Sequence, residues 1–375
     1  MALAPTRSID RAADTRPGLP GDTRPDALAP VRTRRATLLM LGLLVGVVVM
    51  AMVSAGVGQL AVAPGEVIGS VLHKLGLDLG EMPSHPLGEA VLWNIRFPRV
   101  AMAILVGASL GAAGAVMQGI FGNPLAEPAV IGVSAGAAVG ACAVIVFSWT
   151  FLGSLTIAVT AFVTALITTL LVYALSRSAG RTEVVTLVLM GIAVNAVAAG
   201  IIAYLVFLGD TAAREQIVFW QLGSLNGSRW QQVWIVLPLV GVGVICTLVI
   251  ARRLDLLALG ERAARHLGVN VEALRLFAIV VVTLLVASGV AFAGIIAFVG
   301  LVVPHLIRMI IGPSHRTLIP ASILGGALVL TVADLVARTA VDYADLPIGM
   351  LTAIVGGPFF FWLLLRTRRQ AGGWA

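Results

Sequence analysis

Two short stretches place prolines and polar groups where the surrounding sequence is apolar. The first is Gln118-Gly-Ile-Phe-Gly-Asn-Pro-Leu-Ala-Glu-Pro128; the second is Phe298-Val-Gly-Leu-Val-Val-Pro-His305. Pro124, Pro128 and Pro304 each remove a backbone donor and disfavour helix in the preceding residue, so all three are expected to break helices. Peptide groups freed at membrane depth are tolerated only where they are buried in protein or line a cavity. Two such breaks, in corresponding parts of two chain halves, point to a transporter. Plain loops at both places are the competing reading. Bond-making chemistry has no comparable set of residues. The sequence lacks a Gly-x-x-x-x-Gly-Lys-Ser/Thr loop, so it offers no P-loop for ATP, and it lacks His-Glu-x-x-His. No Ser/His/Asp set stands out. Cys142 and Cys246 lie in apolar runs without metal-ligand spacing and read as packing residues. Catalytic residues, metal ligands and a bound cofactor are therefore not expected. Few ionisable groups lie inside the apolar runs, so a proton relay is poorly supported. A transporter of this composition would draw its energy from a partner.

One segment fits contact with such a partner. Leu254-Asp-Leu-Leu-Ala-Leu-Gly-Glu-Arg-Ala-Ala-Arg-His-Leu-Gly268 reads as two short helices hinged at Gly260 and stopped at Gly268. Leu254, Leu257, Ala264 and Leu267 would supply apolar contacts, while Glu261, Arg262 and Arg265 stay in water. That pattern suits docking into a groove on a soluble protein. A helix lying on the membrane surface is the alternative.

The elements that must hold these residues follow from composition. Of the 375 residues, 59% are hydrophobic and 11% charged, against about 25% charged in a soluble domain. Mean hydropathy is +1.01. The apolar runs are too long and too many for one water-soluble core, which makes this an all-α polytopic membrane protein. Ten spans are expected, at 36–58, 97–119, 124–148, 152–175, 184–208, 232–251, 274–296, 298–311, 318–338 and 346–365. The eighth is too short to cross as a straight helix and is expected to tilt or be partly re-entrant. Gly107, Gly111 and Gly114, and Gly132, Gly136 and Gly140, have spacings that let helix backbones approach closely. Residues 1–35, rich in Pro, Arg and Asp, read as a disordered tail. The permease body would occupy 36–367, and 368–375 a second tail.

Charge placement gives direction. The net charge of +7 forms no basic face with interleaved aromatics, which excludes nucleic-acid binding. Arginines concentrate after even-numbered spans, at Arg177, Arg181, Arg252, Arg253, Arg262, Arg265, Arg275, Arg308, Arg316, Arg366, Arg368 and Arg369, and are sparser on the other side. The other side carries Glu66, Asp78, Glu81, Glu89, Asp210, Asp342 and Asp345. By the positive-inside rule both termini are expected in the cytoplasm of a bacterial inner-membrane protein.

Several motifs in order then carry a resemblance. They are Arg96-Phe-Pro-Arg99, Gly114-Ala-Val-Met-Gln118, Asn123-Pro-Leu-Ala-Glu-Pro128, Ile131-Gly-Val-Ser-Ala-Gly136, Leu256-Leu-Ala-Leu-Gly260 with His266-Leu-Gly268, Phe298 to His305, Asp334-Leu-Val-Ala-Arg338 and Leu346-Pro-Ile-Gly349. From about residue 60 to 367 the chain resembles the permease subunits of type II ABC importers, the FecCD-type group that carries iron chelates and vitamin B12. The resemblance implies the type II importer permease fold and a dimer, either a homodimer or a closely related pair. It implies two cytoplasmic ATPase subunits that use ATP and Mg, and an extracytoplasmic binding protein that delivers the cargo. It further implies that Arg96, Arg99 and Arg338 dock acidic residues of that binding protein. Membrane-interface anchoring is the other reading of Arg96 and Arg99, and an ion pair with Asp334 that of Arg338. Asn123 and Leu125 match a cytoplasmic gate, although Asn123 would also suit a helix cap. Residues 254–268 match the cytoplasmic coupling helices. Thr182-Glu-Val-Val-Thr186 covers the second gate region but assigns no residue there.

The expected function is ATP-driven import of an iron chelate, ferric siderophore or haem. Phe219-Trp-Gln-Leu-Gly-Ser-Leu225 and the ending Arg366 to Ala375 look most like iron and haem members. Cobalamin import is the alternative within the group. An ion-gradient-driven secondary transporter is the alternative of another class.

Overall fold

The computed structural model describes residues 29–178, 181–341 and 343–370. In chain order the helices are α1 (Ala29–Gly56), α2 (Pro64–Lys74), α3 (Gly88–Val91), α4 (Phe97–Phe121), α5 (Val133–Phe147), α6 (Thr156–Leu175), α7 (Val184–Leu208), α8 (Thr211–Leu222), α9 (Trp230–Leu257), α10 (Glu261–His266), α11 (Val271–Ala293), α12 (Val299–Ile311), α13 (His315–Thr339) and α14 (Ile348–Gln370). A π-helical turn, Leu92–Arg96, joins α3 to α4. The described strands are β1 (Arg177–Ser178) and β2 (Arg181–Thr182), an antiparallel hairpin between α6 and α7.

Seven helices are long and apolar enough to cross a membrane: α1, α4 with its lead-in, α6, α7, α9, α11 and α13. Three shorter apolar helices, α5, α12 and α14, complete a set of ten. At 1.5 Å per residue, the 15 residues of α5 and the 13 of α12 span only about 20 Å of a core about 30 Å thick. The shortness of the eighth span is as expected. That of the third is a correction to 124–148: Pro128–Ile131 forms a 3₁₀ turn, and Gly132 at φ 82° separates it from α5.

The core is built around α4. Every residue from Val106 to Ile120 is buried, as expected of a helix apolar on all sides. Its neighbours are α9, α11, α12 and α13. The glycine spacing on α4 accounts for the closeness. A Cβ on Gly111 would stand 2.0 Å from the Ser322 carbonyl oxygen of α13, and one on Gly114 would stand 1.7 Å from the Gly300 carbonyl oxygen of α12. By contrast α7 buries few side chains, and Leu189, Ile192 and Val197 are exposed, the surface a lipid-facing helix presents. At one end of the bundle Trp93 stacks on Trp230 (6.4 Å) and Trp230 on Trp234 (6.0 Å), with Lys74 5.4 Å over the Trp93 ring. Such a cluster marks a membrane–water interface.

Other boundaries differ from the sequence expectation. The first helix starts at Ala29, not 36, so Arg32, Arg34 and Arg35 fall in its first turns. Most of the expected tail 1–35, the ending 371–375 and Asp342 lie outside the described residues. The first of the two expected short helices in 254–268 is the continuous end of α9; Gly260 (φ 102°) then opens α10. Pro304 sits inside α12 and does not break it. The interruption falls earlier, at 294–298, where Phe298 has φ 66°. The reason is a contact between helices. A proline deprives the carbonyl four residues back of its helical partner. That carbonyl is Gly300, the one packed on Gly114, so α12 continues and the freed oxygen meets another helix.

Candidate functional site

The two breaks come together in space. Glu127 Oε1 accepts the Phe298 N–H at 3.1 Å. Gln118 Nε2 donates to the Leu301 carbonyl at 3.1 Å, and its Oε1 accepts from Arg308 at 3.1 Å. A small cavity of about 90 Å³ between them is lined by Leu110, Glu127, Ser134, Ile295 and Gly300. The Phe298 amide, which precedes the first turn of α12, is thus satisfied by a side chain of the facing break, as an apolar interior requires. At the end of α4, Gly122 takes φ 60° and Asn123 follows, exposed. Its Oδ1 accepts the Leu125 N–H at 2.9 Å. This local turn, rather than a cap on the next helix, is what the Asn123 side chain forms. Pro124 is exposed, Leu125 half-buried and Pro128 buried.

The three arginines lie together at the end that carries α2. Arg96 is buried and donates to the Ala55 carbonyl at 2.7 Å, the Gly56 carbonyl at 2.9 Å and the Leu60 carbonyl. Arg99, also buried, places Nε on both oxygens of Asp334 (2.9 and 3.1 Å) and Nη1 and Nη2 on Asp345 at 3.2–3.3 Å. Arg338 donates to the Val57 carbonyl at 2.7 Å, the Ser54 hydroxyl at 2.7 Å and the Ser54 carbonyl. Its contact with Asp334 is a loose 3.8 Å, so the expected i, i+4 pair is secondary to the Arg99 pair. All three arginines therefore tie the loop after α1 and the loop after α13 to the bundle. Arg338 and Asp345 also line an open cavity of about 240 Å³ with Gly58, Gln59 and Tyr343. Tyr343 is 90% exposed.

The opposite end carries α10. Leu254, Leu257 and Ala264 are buried against the bundle. Of the four apolar contacts expected for a partner, only Leu267 faces outward, joined by Leu259, which the sequence reading did not single out. Glu261, Arg262 and Arg265 are exposed, as are Gly260 and Gly268; Arg265 pairs with Glu261 at 3.2 Å. Two further links were not foreseen. Asp255 accepts the His315 backbone N–H at 2.5 Å, lies 3.0 Å from His315 Nδ1, and caps the start of α13. The buried His315 ring packs on Gly119, just before the Asn123 turn. Buried Arg275 bonds Glu261 and the Thr182 carbonyl. Acidic and basic residues near sequence turns were the available signal, but nothing in the chain order pairs them.

Helical spans around paired interruptions, with a charged mouth at one end and an exposed short helix at the other, define a polytopic permease of the type II ABC importer fold. The chain belongs to the FecCD transport family, whose model matches residues 38–366. It is similar to the hemin transport system permease of Yersinia pestis, at 41% identity over 297 residues, 75% of this chain and 85% of that one. It is also similar to the vitamin B12 import system permease of Klebsiella pneumoniae, at 35% identity over 342 residues, 91% and 97% of the two chains. The solved structure of an inward-facing metal-chelate type ABC transporter matches with TM-score 0.77 and 32% identity, covering 88% of this chain and 99% of that one. The chain is a multi-pass membrane permease of a metal-chelate, haem or vitamin B12 ABC importer, and the ATPase of such importers lies in partner proteins.

Proposed function

We propose that this permease moves an iron chelate, ferric siderophore or haem, inward across the bacterial inner membrane, with both termini cytoplasmic. The α2 end faces outward and receives the binding protein. The α10 end faces the cytoplasm and meets two ATPase subunits that bind ATP and Mg. A second copy of the chain completes the path. The observation that carries this reading is the joining of the two interrupted helices, Glu127 to the Phe298 amide, between those two ends. It gives a passage with backbone that is not locked into one helical ladder. The haem relative supports iron cargo; the vitamin B12 relative supports cobalamin as the second reading.

In this reading Arg338, which lines the outer cavity, meets a carboxylate of the binding protein, and Arg96 and Arg99 complete the docking set beneath it. Arginine suits this because it forks onto a carboxylate with two hydrogen bonds. Asn123 and Leu125 form the cytoplasmic gate at the exposed end of α4. Leu259 and Leu267 give the ATPase an apolar hold, with Arg262 around them. Reversing Arg338 to Glu is expected to weaken binding-protein docking about tenfold or more, read by surface-immobilised binding. Unchanged docking would remove that role. For cargo, the permease and its ATPase in liposomes should take up haem or a ferric siderophore from loaded binding protein. Uptake of cobalamin alone would favour the second reading.

A further inference from the structure

The hairpin between α6 and α7 has no gate residue assigned to it, yet its last residue is held at both peptide groups. The Thr182 N–H donates to Glu272 Oε2 at 3.0 Å, and the Thr182 carbonyl accepts from Arg275 Nη1 at 3.0 Å. Glu272 and Arg275 are one turn apart on α11, so a single helical face grips one residue of the hairpin. Thr182 is 3% exposed and Arg275 5% exposed. The other guanidinium nitrogen of Arg275 reaches out of this buried site to Glu261 at the start of α10. Glu261 is exposed and also holds Arg265 on α10 at 3.2 Å. Between the hairpin end and α10 lies an open cleft of about 550 Å³ lined by Thr182, Glu183, Glu261, Arg262 and Glu272. The two elements therefore stand apart at the surface and are joined beneath it by one side chain. A planar fork with donors on both ends is suited to that task, and a lysine point charge is not.

We propose that Arg275 is a positioning residue for energy coupling, which ties the α6–α7 hairpin to α10 so that displacement of α10 carries the hairpin with it. The inference rests on the reading of α10 as the ATPase contact. The Asp255–His315 link runs separately, from the end of α9 to the start of α13 beside Gly119. The hairpin is thus tied to α10 through Arg275, and the start of α13 to the end of α9 through a different pair.

The test uses the permease with its ATPase in liposomes. Cys142 and Cys246 are replaced by Ala, and a spin label is placed at Val185, which is 70% exposed. Label separation between the two copies is compared without nucleotide and with ATP held unhydrolysed. ATPase association, ATP hydrolysis and uptake per ATP are read in parallel. In the otherwise unaltered protein the label distance is expected to shift on ATP binding. In R275Q the ATPase should still associate and hydrolyse ATP, but the shift should vanish and uptake per ATP should fall about fivefold or more. Should R275Q fail to assemble, R275K keeps the charge without the fork and is expected to show a reduced shift and reduced uptake per ATP. A full shift with full uptake per ATP in R275Q or R275K overturns the proposal. Absence of ATPase association in the unaltered protein would overturn the reading beneath it instead, and that outcome is visible before any Arg275 variant is made.

Discussion

At the scale of single residues, the charges buried at the α2 end decide how the mouth is built. Arg99 and Asp334 are 9% and 1% exposed and share two hydrogen bonds. Removing one partner of a buried pair leaves the other charge uncompensated. Asp334→Ala is therefore expected to destabilise the protein by about 3–5 kcal/mol, measured as thermal unfolding in a lipid nanodisc, whereas Asp345→Ala, at a half-exposed carboxylate, should cost well under half of that. Glu66 makes a pH-dependent contact at the same end. Its carboxylate accepts the Ser84 N–H at 2.8 Å and the Ala63 N–H at 2.9 Å, and the bond from Ser84 foremost holds it below the ordinary glutamate value. A group whose folded pKa is depressed stabilises the fold above its unfolded value and loses that contribution as pH falls through the folded one. The Ser84 amide, its exchange taken relative to the intrinsic rate at each pH, should be protected at neutral pH and lose that protection as pH falls through the depressed Glu66 value. In Glu66→Gln this acid step should be absent.

At the scale of elements, the interrupted helices were legible in part. Pro124, Pro128 and the adjacent glycines located the first break because each acts on its own backbone, while the second lies just before the expected stretch, at 294–298. The third crossing began later than expected because Gly132, in a left-handed conformation, separates the 3₁₀ turn from α5. Pro304 was misread because its cost depends on what the Gly300 carbonyl meets, and Gly114 lies nearly two hundred positions earlier in the chain. The same limit hid Glu127 and Phe298, 171 residues apart, and Asp255 and His315, 60 apart. Local rules act over three or four residues, and these contacts exist only once the helices pack. Glu127→Ala should orphan the Phe298 N–H and cost about 1–3 kcal/mol. Glu127→Gln keeps an acceptor at the same reach and should cost less than about 1 kcal/mol by the same measure.

At the scale of the whole molecule, hydropathy was enough for a nearly all-helical body with about ten crossings. It held because it sums over many residues, so an error of a few positions at any helix end leaves the total intact. The short helices α2 and α8 were not foreseen, since each lies between spans and is too short or too polar to stand out in hydropathy. The exposed surface around α10 was legible as a segment but not as a surface. Sequence order put Leu254, Leu257, Ala264 and Leu267 on one list, and packing turned the first three inward. The central claim is that this chain passes its cargo only when an ATPase at the α10 end drives it. The direct measurement is uptake from loaded binding protein into liposomes holding the permease with its ATPase, with ATP, without ATP, and with an imposed ion gradient alone. Uptake that requires ATP, together with hydrolysis stimulated by the loaded binding protein, is the expected result; uptake sustained by the ion gradient with no ATPase present would contradict it.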